Sequence, residues 1–198
     1  MSNLASVPRS AGLQSSHLTV KKPWLSLLGN KFWVYAPDGT LVAFVKMPLL
    51  QWKAEMTIYG DEAMTSPMMH LQVQKVMTVN PVFDVMDVSS QTRLGAVRKL
   101  GLKLIRDKWE LLDGSGTQVG EMEETGNSFL RRMFPLLLGK WEIRLGGTPV
   151  ARITQVLKLF SKEFTLDLSE SQGRLDPRFA IACAVFALLA ESARERSN

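Results

Sequence analysis

Residues 176 to 191 read DPRFAIACAVFALLAE, and no face of that stretch is polar. Asp176 followed by Pro177 signals a helix start: a short carboxylate accepts a cap hydrogen bond, and proline is tolerated in the first turn, where its missing donor is not needed. From Phe179 to Ala190 every residue is apolar, whereas a surface helix keeps a wet side. That run rises about 18 Å at ~1.5 Å per residue, short of the ~20 apolar residues that cross a bilayer. It therefore predicts a helix enclosed by protein, with Phe179, Ile181, Cys183, Val185, Phe186, Leu188 and Leu189 as its core residues. Ala180, Ala182, Ala184 and Ala187 keep it slim enough for a curled sheet to surround.

What surrounds it is legible as hairpins. Phe32 to Lys46 reads FWVYAPDGTLVAFVK: an aromatic run, a Pro-Asp-Gly turn and a β-branched run, with Gly39 able to take the positive φ that the turn requires. WELLDGSGTQVGEM, Trp109 to Met122, repeats the arrangement and aligns Gly39 with Gly116, Thr40 with Thr117, Val42 with Val119 and Ala43 with Gly120. WEIRLGGTPVARI, Trp141 to Ile153, shortens the turn to Gly146 and Gly147, and Phe83 to Val97 is a looser fourth version. Period-two patterns at Met47 to Ile58, Leu71 to Val79 and Glu163 to Leu168 add strands, for about ten to twelve in all. Gly60 to His70 reads as a loop, and Pro135 places a bend or strand edge in the apolar segment 131–141. Closing such a sheet removes its exposed edges. The expected fold is mainly β, an antiparallel barrel around the C-terminal helix.

The 198 residues, 45% hydrophobic, suffice for one domain with a sizeable core. The serine-bearing start, residues 1–20, predicts a flexible arm without the apolar run of a signal peptide; residues 21–193 form the domain and 194–198 a polar tail. A cytoplasmic chain, with peripheral membrane contact at most, is the expectation. Cys183 is the only cysteine, which excludes an internal disulfide and, inside the apolar run, reads as a small buried hydrophobe.

The hairpins FWVYAPDGTLVAFVK and WELLDGSGTQVGEM, followed by LDPRFAIACAVFALLAE, resemble the tubby C-terminal-like superfamily, especially its LURP-one-related and phospholipid scramblase branches. The resemblance spans about Leu18 to Glu191. It implies a closed twelve-stranded barrel with the hydrophobic helix through its middle. For function it implies a scaffold or binding domain, phosphoinositide binding as in tubby-like domains, or calcium-dependent lipid movement as in scramblases.

Chemistry is sparse. His17 and His70 are the only histidines and belong to no metal motif. There is no GxSxG elbow, and GSGTQVG, 114–120, lacks the strand, spacing and helix of a dinucleotide site. The calcium segment of scramblases corresponds to DLSESQGRLD, 167–176, where Asp167, Glu170 and Asp176 offer carboxylates but Gly173 and Arg174 break the pattern of an EF-hand. A net charge of +5 favours anionic surfaces without specifying nucleic acid. The candidate cations for an anionic phospholipid surface are Arg93, Arg98, Lys99, Lys103, Arg106, Lys108, Arg131, Arg132 and Lys140, with Leu100, Leu102 and Leu104 as an apolar shoulder. The sequence thus predicts a non-enzymatic binding domain without a cofactor and leaves its ligand and oligomeric state open.

Overall fold

The computed structural model describes residues 12–23, 30–47, 55–74, 80–100, 108–125, 138–158 and 161–197. Among them, twelve antiparallel strands close into a barrel around one long helix. The strands are β1 (His17–Pro23), β2 (Asn30–Tyr35), β3 (Leu41–Met47), β4 (Glu55–Tyr59), β5 (Pro67–Val73) and β6 (Val82–Asp87). They continue with β7 (Arg93–Lys99), β8 (Lys108–Leu112), β9 (Gln118–Glu124), β10 (Lys140–Leu145), β11 (Thr148–Leu157) and β12 (Ser161–Asp167). Each strand pairs with its sequence neighbours, and β1 closes the barrel on β12, from His17 opposite Asp167 to Pro23 opposite Ser161.

The helix, α1 (Pro177–Ser197), starts as its sequence requires. Asp176 Oδ1 accepts the amide of Arg178 at 2.8 Å, and the Asp176 carbonyl accepts that of Ala180 at 3.0 Å. Every residue from Phe179 to Ala190 is buried, most of them completely. Phe186 lies against Phe83 and Trp109, with ring centroids 5.0 and 5.7 Å away. At Gly95 the sheet comes so close that a Cβ would stand 2.6 Å from the Leu112 carbonyl oxygen and 2.9 Å from the Phe179 ring.

The hairpin turns gather at the rim where α1 enters. Gly39 and Gly116 hold φ of 83° and 90° and donate to the carbonyls of Ala36 and Asp113 at 3.0 Å, so the two aligned turns are the same turn. Beside them the ladder skips one residue in each of five hairpins: Val34 faces Ala43 and Tyr35 faces Leu41, leaving Val42 over. Met68, Leu94, Val119 and Val150 are left over in the same way. Such bulges bend and twist a strand, which helps a sheet curl shut.

Three boundaries differ from the sequence expectation. β1 begins at His17, inside the expected arm, because Leu18 and Val20 are core residues laddered to β12. The expected loop 60–70 ends sooner: β5 starts at Pro67 and buries Met69 completely. α1 continues to Ser197, taking in most of the expected tail. Trp52 and Pro135 lie outside the described residues, as does most of the expected arm.

Candidate functional site

Five of the nine cations expected from sequence fall on described residues. Lys103, Arg106, Arg131 and Arg132 lie outside the described residues. Arg93 sits at the turn-bearing rim, its Nε 2.6 Å from Asp84. Arg98 reaches Glu110 at 2.9 Å, and Lys99 lies over the Trp109 ring, 5.4 Å from its centroid. Lys108 bridges Glu121 at 2.6 Å and Glu123 at 3.9 Å, and the Glu121 hydrogen bond holds its ammonium above the usual lysine range. Lys140 is exposed at the start of β10. Most of these charges are absorbed by their own sheet.

The three carboxylates of the calcium expectation are separately engaged. Asp167 faces His17, 3.4 Å from its Nε2, and accepts the Ser169 amide at 2.9 Å. Glu170 takes Arg152 at 2.7 Å, and Asp176 is occupied by Arg178. No group of three or more metal-ligating side chains occurs among the described residues. Cys183 is fully enclosed, and burial pushes its thiol up to about 12, which leaves it protonated and unreactive at neutral pH. Ser16 Oγ lies 3.0 Å from His17 Nδ1, completing a serine–histidine–aspartate line with Asp167. His17 is more than half exposed, so this line lacks the desolvated setting in which such a relay activates a serine.

A different set of cations does converge. Every lysine among the described residues lies toward the rim where α1 leaves, opposite the turns, and every described aspartate except Asp84 lies toward the turn-bearing rim. Six of these lysines share one arc of five neighbouring strands: Lys158 after β11, Lys162 on β12, Lys21 and Lys22 on β1, Lys31 on β2 and Lys46 on β3. Lys22 points inward and anchors the helix, its Nζ 2.6 Å from Ser192 Oγ, which also donates to the Leu188 carbonyl at 2.8 Å. Lys21 is half exposed, 3.8 Å from Glu163 and 5.3 Å above the Tyr35 ring. Lys31 and Lys46 face each other directly across the β2–β3 ladder. The next outward pair is Trp33 opposite Phe44, ring centroids 5.5 Å apart. The arc therefore sets cations beside the part-exposed ring of Trp33, which lies against the buried Phe44. Sequence reading missed it because its members stand at the two ends of the chain and meet only when β1 closes on β12. The available signal was positional: each sits at a strand end on the same side of the hairpins.

No family model matches this chain, and no curated protein matches it. Among solved structures, the X-ray structure of a protein from Arabidopsis thaliana, AT5G01750, is similar. Its TM-score is 0.50 at 13% identity, and the match covers 90% of this chain and 93% of that one. The likeness is one of fold. No helix among the described residues is long and apolar enough to cross a membrane.

Proposed function

We propose that this chain is a non-enzymatic binding domain of the LURP-one-related type, and that its ligand is an anionic phospholipid surface met by the lysine arc at the closure of the barrel. The carrying observation is the gathering of Lys21, Lys31, Lys46 and Lys158 at one rim, on β1, β2, β3 and just after β11, beside the part-exposed ring of Trp33. A peripheral contact with an anionic bilayer needs those two ingredients, cations at ~1 kcal/mol each near the surface and an apolar shoulder. The twelve-strand closure around a buried helix supports the tubby C-terminal-like assignment that the sequence resemblance implied. Lipid scrambling fits less well, because α1 is enclosed from Phe179 to Ala190 and has no apolar face to offer a bilayer.

Co-sedimentation with vesicles tests the reading. At low salt the protein should pellet with phosphatidylcholine vesicles containing phosphatidylserine and stay in solution with phosphatidylcholine alone. Binding should fade as salt shortens the screening length from ~30 Å at 0.01 M to ~8 Å at 0.15 M. Equal partition onto both vesicle types would defeat the proposal.

A further inference from the structure

Cross-strand neighbours of like charge are unfavourable, since side chains directly opposite in an antiparallel pair start only ~5 Å apart. The β2–β3 hairpin carries such a pair on its outward face, Lys31 opposite Lys46, at the end of the ladder where α1 leaves. Several other outward cations of the barrel are matched across the ladder or along the strand, Arg98 with Glu110, Lys108 with Glu121, Lys21 with Glu163 and Arg144 with Glu142, while the exposed Lys140 faces Thr154 rather than a second cation. Neither Lys31 nor Lys46 forms an ion pair among the described residues, and Lys46 is exposed. Their neighbours up the ladder, Trp33 and Phe44, close one side of the pair with rings rather than a carboxylate.

We infer that Lys31 and Lys46 form a two-lysine clamp for one phosphate group, the anion that neutralises their mutual repulsion. The inference rests on the phospholipid reading and names the chemical group that the arc holds. A tetrahedral phosphate presents several acceptor oxygens, so two ammonium groups on adjacent strands can share it without competing for one lone pair. Lipid headgroups and free phosphate offer the same chemistry at this clamp.

The clamp carries an unusual signature, because removing one lysine should strengthen the fold while weakening the site. In low-salt buffer without phosphate, Lys46→Gln is expected to raise Tm by roughly 1–2 °C. Inorganic phosphate, compared with chloride at equal ionic strength, should raise the Tm of the wild type and leave that of Lys31→Gln and Lys46→Gln unmoved. Lys140→Gln, an exposed lysine away from the β2–β3 hairpin, should keep the phosphate response. On vesicles containing phosphatidic acid, each clamp variant should bind about fivefold more weakly. A phosphate response that survives in Lys46→Gln, or a lower Tm for that variant in phosphate-free buffer, overturns the clamp. If the clamp variants bind vesicles as tightly as the wild type, the clamp falls and the phospholipid reading stands. If the wild type responds to phosphate and ignores every anionic vesicle, the lipid reading falls and the clamp belongs to a soluble phosphate compound.

Discussion

Asp87 is the residue on which the entry of the helix turns. It is buried at the end of β6. Its Oδ1 accepts the Ser89 hydroxyl at 2.7 Å and the Ser89 amide at 2.8 Å, and its Oδ2 takes Nη1 of Arg178 from the first turn of α1. Arg178 is also held by Asp176, Nη2 to Oδ2 at 2.7 Å, so the turn after β6 and the cap of α1 share one guanidinium. The Ser89 hydroxyl bond, with help from the Ser89 and Ser90 amides and Arg178, outweighs burial and lowers the Asp87 carboxyl to about 2. An unfolded aspartate titrates near ~3.9. The folded value is the lower one, so this stabilisation is complete above that pH and lost as pH falls through about 2. Asp87→Asn should destabilise by about 2–3 kcal/mol at pH 7, with a gap from wild type that narrows in urea titrations at acid pH; a constant gap would show that the carboxylate charge is irrelevant. A second check concerns Cys183. Labelling by a thiol reagent should proceed no faster than unfolding in native buffer. The cap at Asp176 was readable because it is local; its link to Asp87 was not, since the partners lie 91 positions apart.

Among the elements, the hairpins show what an internal alignment can and cannot see. Val42, Val119 and Val150, each followed by a small residue, were visible as a recurring pair after the turn. The structure gives the pair its meaning: the first residue is left over at the bulge, and Ala43, Gly120 or Ala151 resumes the ladder. Met68 and Leu94 occupy the same place with different side chains, which hid β4–β5 from an alignment led by aromatics and glycines. Gly120 is the tightest of the small positions, a Cβ there falling 2.1 Å from the Arg144 carbonyl oxygen, and Gly95 comes second, against both the sheet and the helix. Gly95→Ala drives a methyl toward a backbone oxygen that cannot swing away, and should destabilise by about 1–3 kcal/mol. Phe186→Ala, which empties the space between Phe83 and Trp109, should lower stability by about 3–5 kcal/mol. Urea midpoints measure both, and a loss under ~1 kcal/mol for Phe186→Ala would mean that the helix is not tightly gripped.

For the molecule as a whole, closure decides what the sequence could reveal. The fold was legible because four of the hairpins and the oily helix announce themselves within a few dozen residues. The lysine arc was not, because Lys21, Lys31 and Lys46 join Lys158 and Lys162 only through the pairing of the first strand with the last. The polarity of the barrel follows the same logic. Aspartates collect where tight turns use their carboxylates as hydrogen-bond acceptors, as Asp38 does for the Thr40 amide and Asp113 for those of Ser115 and Thr117. The aspartates thus surround the positive end of the helix dipole and the lysines the negative end.

The placement of α1 after all twelve strands sets an order of events during synthesis. Strands β1 to β12 leave the ribosome before the segment that fills them, so a nascent chain ending at Leu175 exposes the inward side chains of Leu18, Phe32, Val45, Ile143 and Phe164 with nothing to pack against. The interior can become dry only once residues 177–190 have emerged, and a chain that stops before them yields a sticky, hollow sheet rather than a smaller version of the protein.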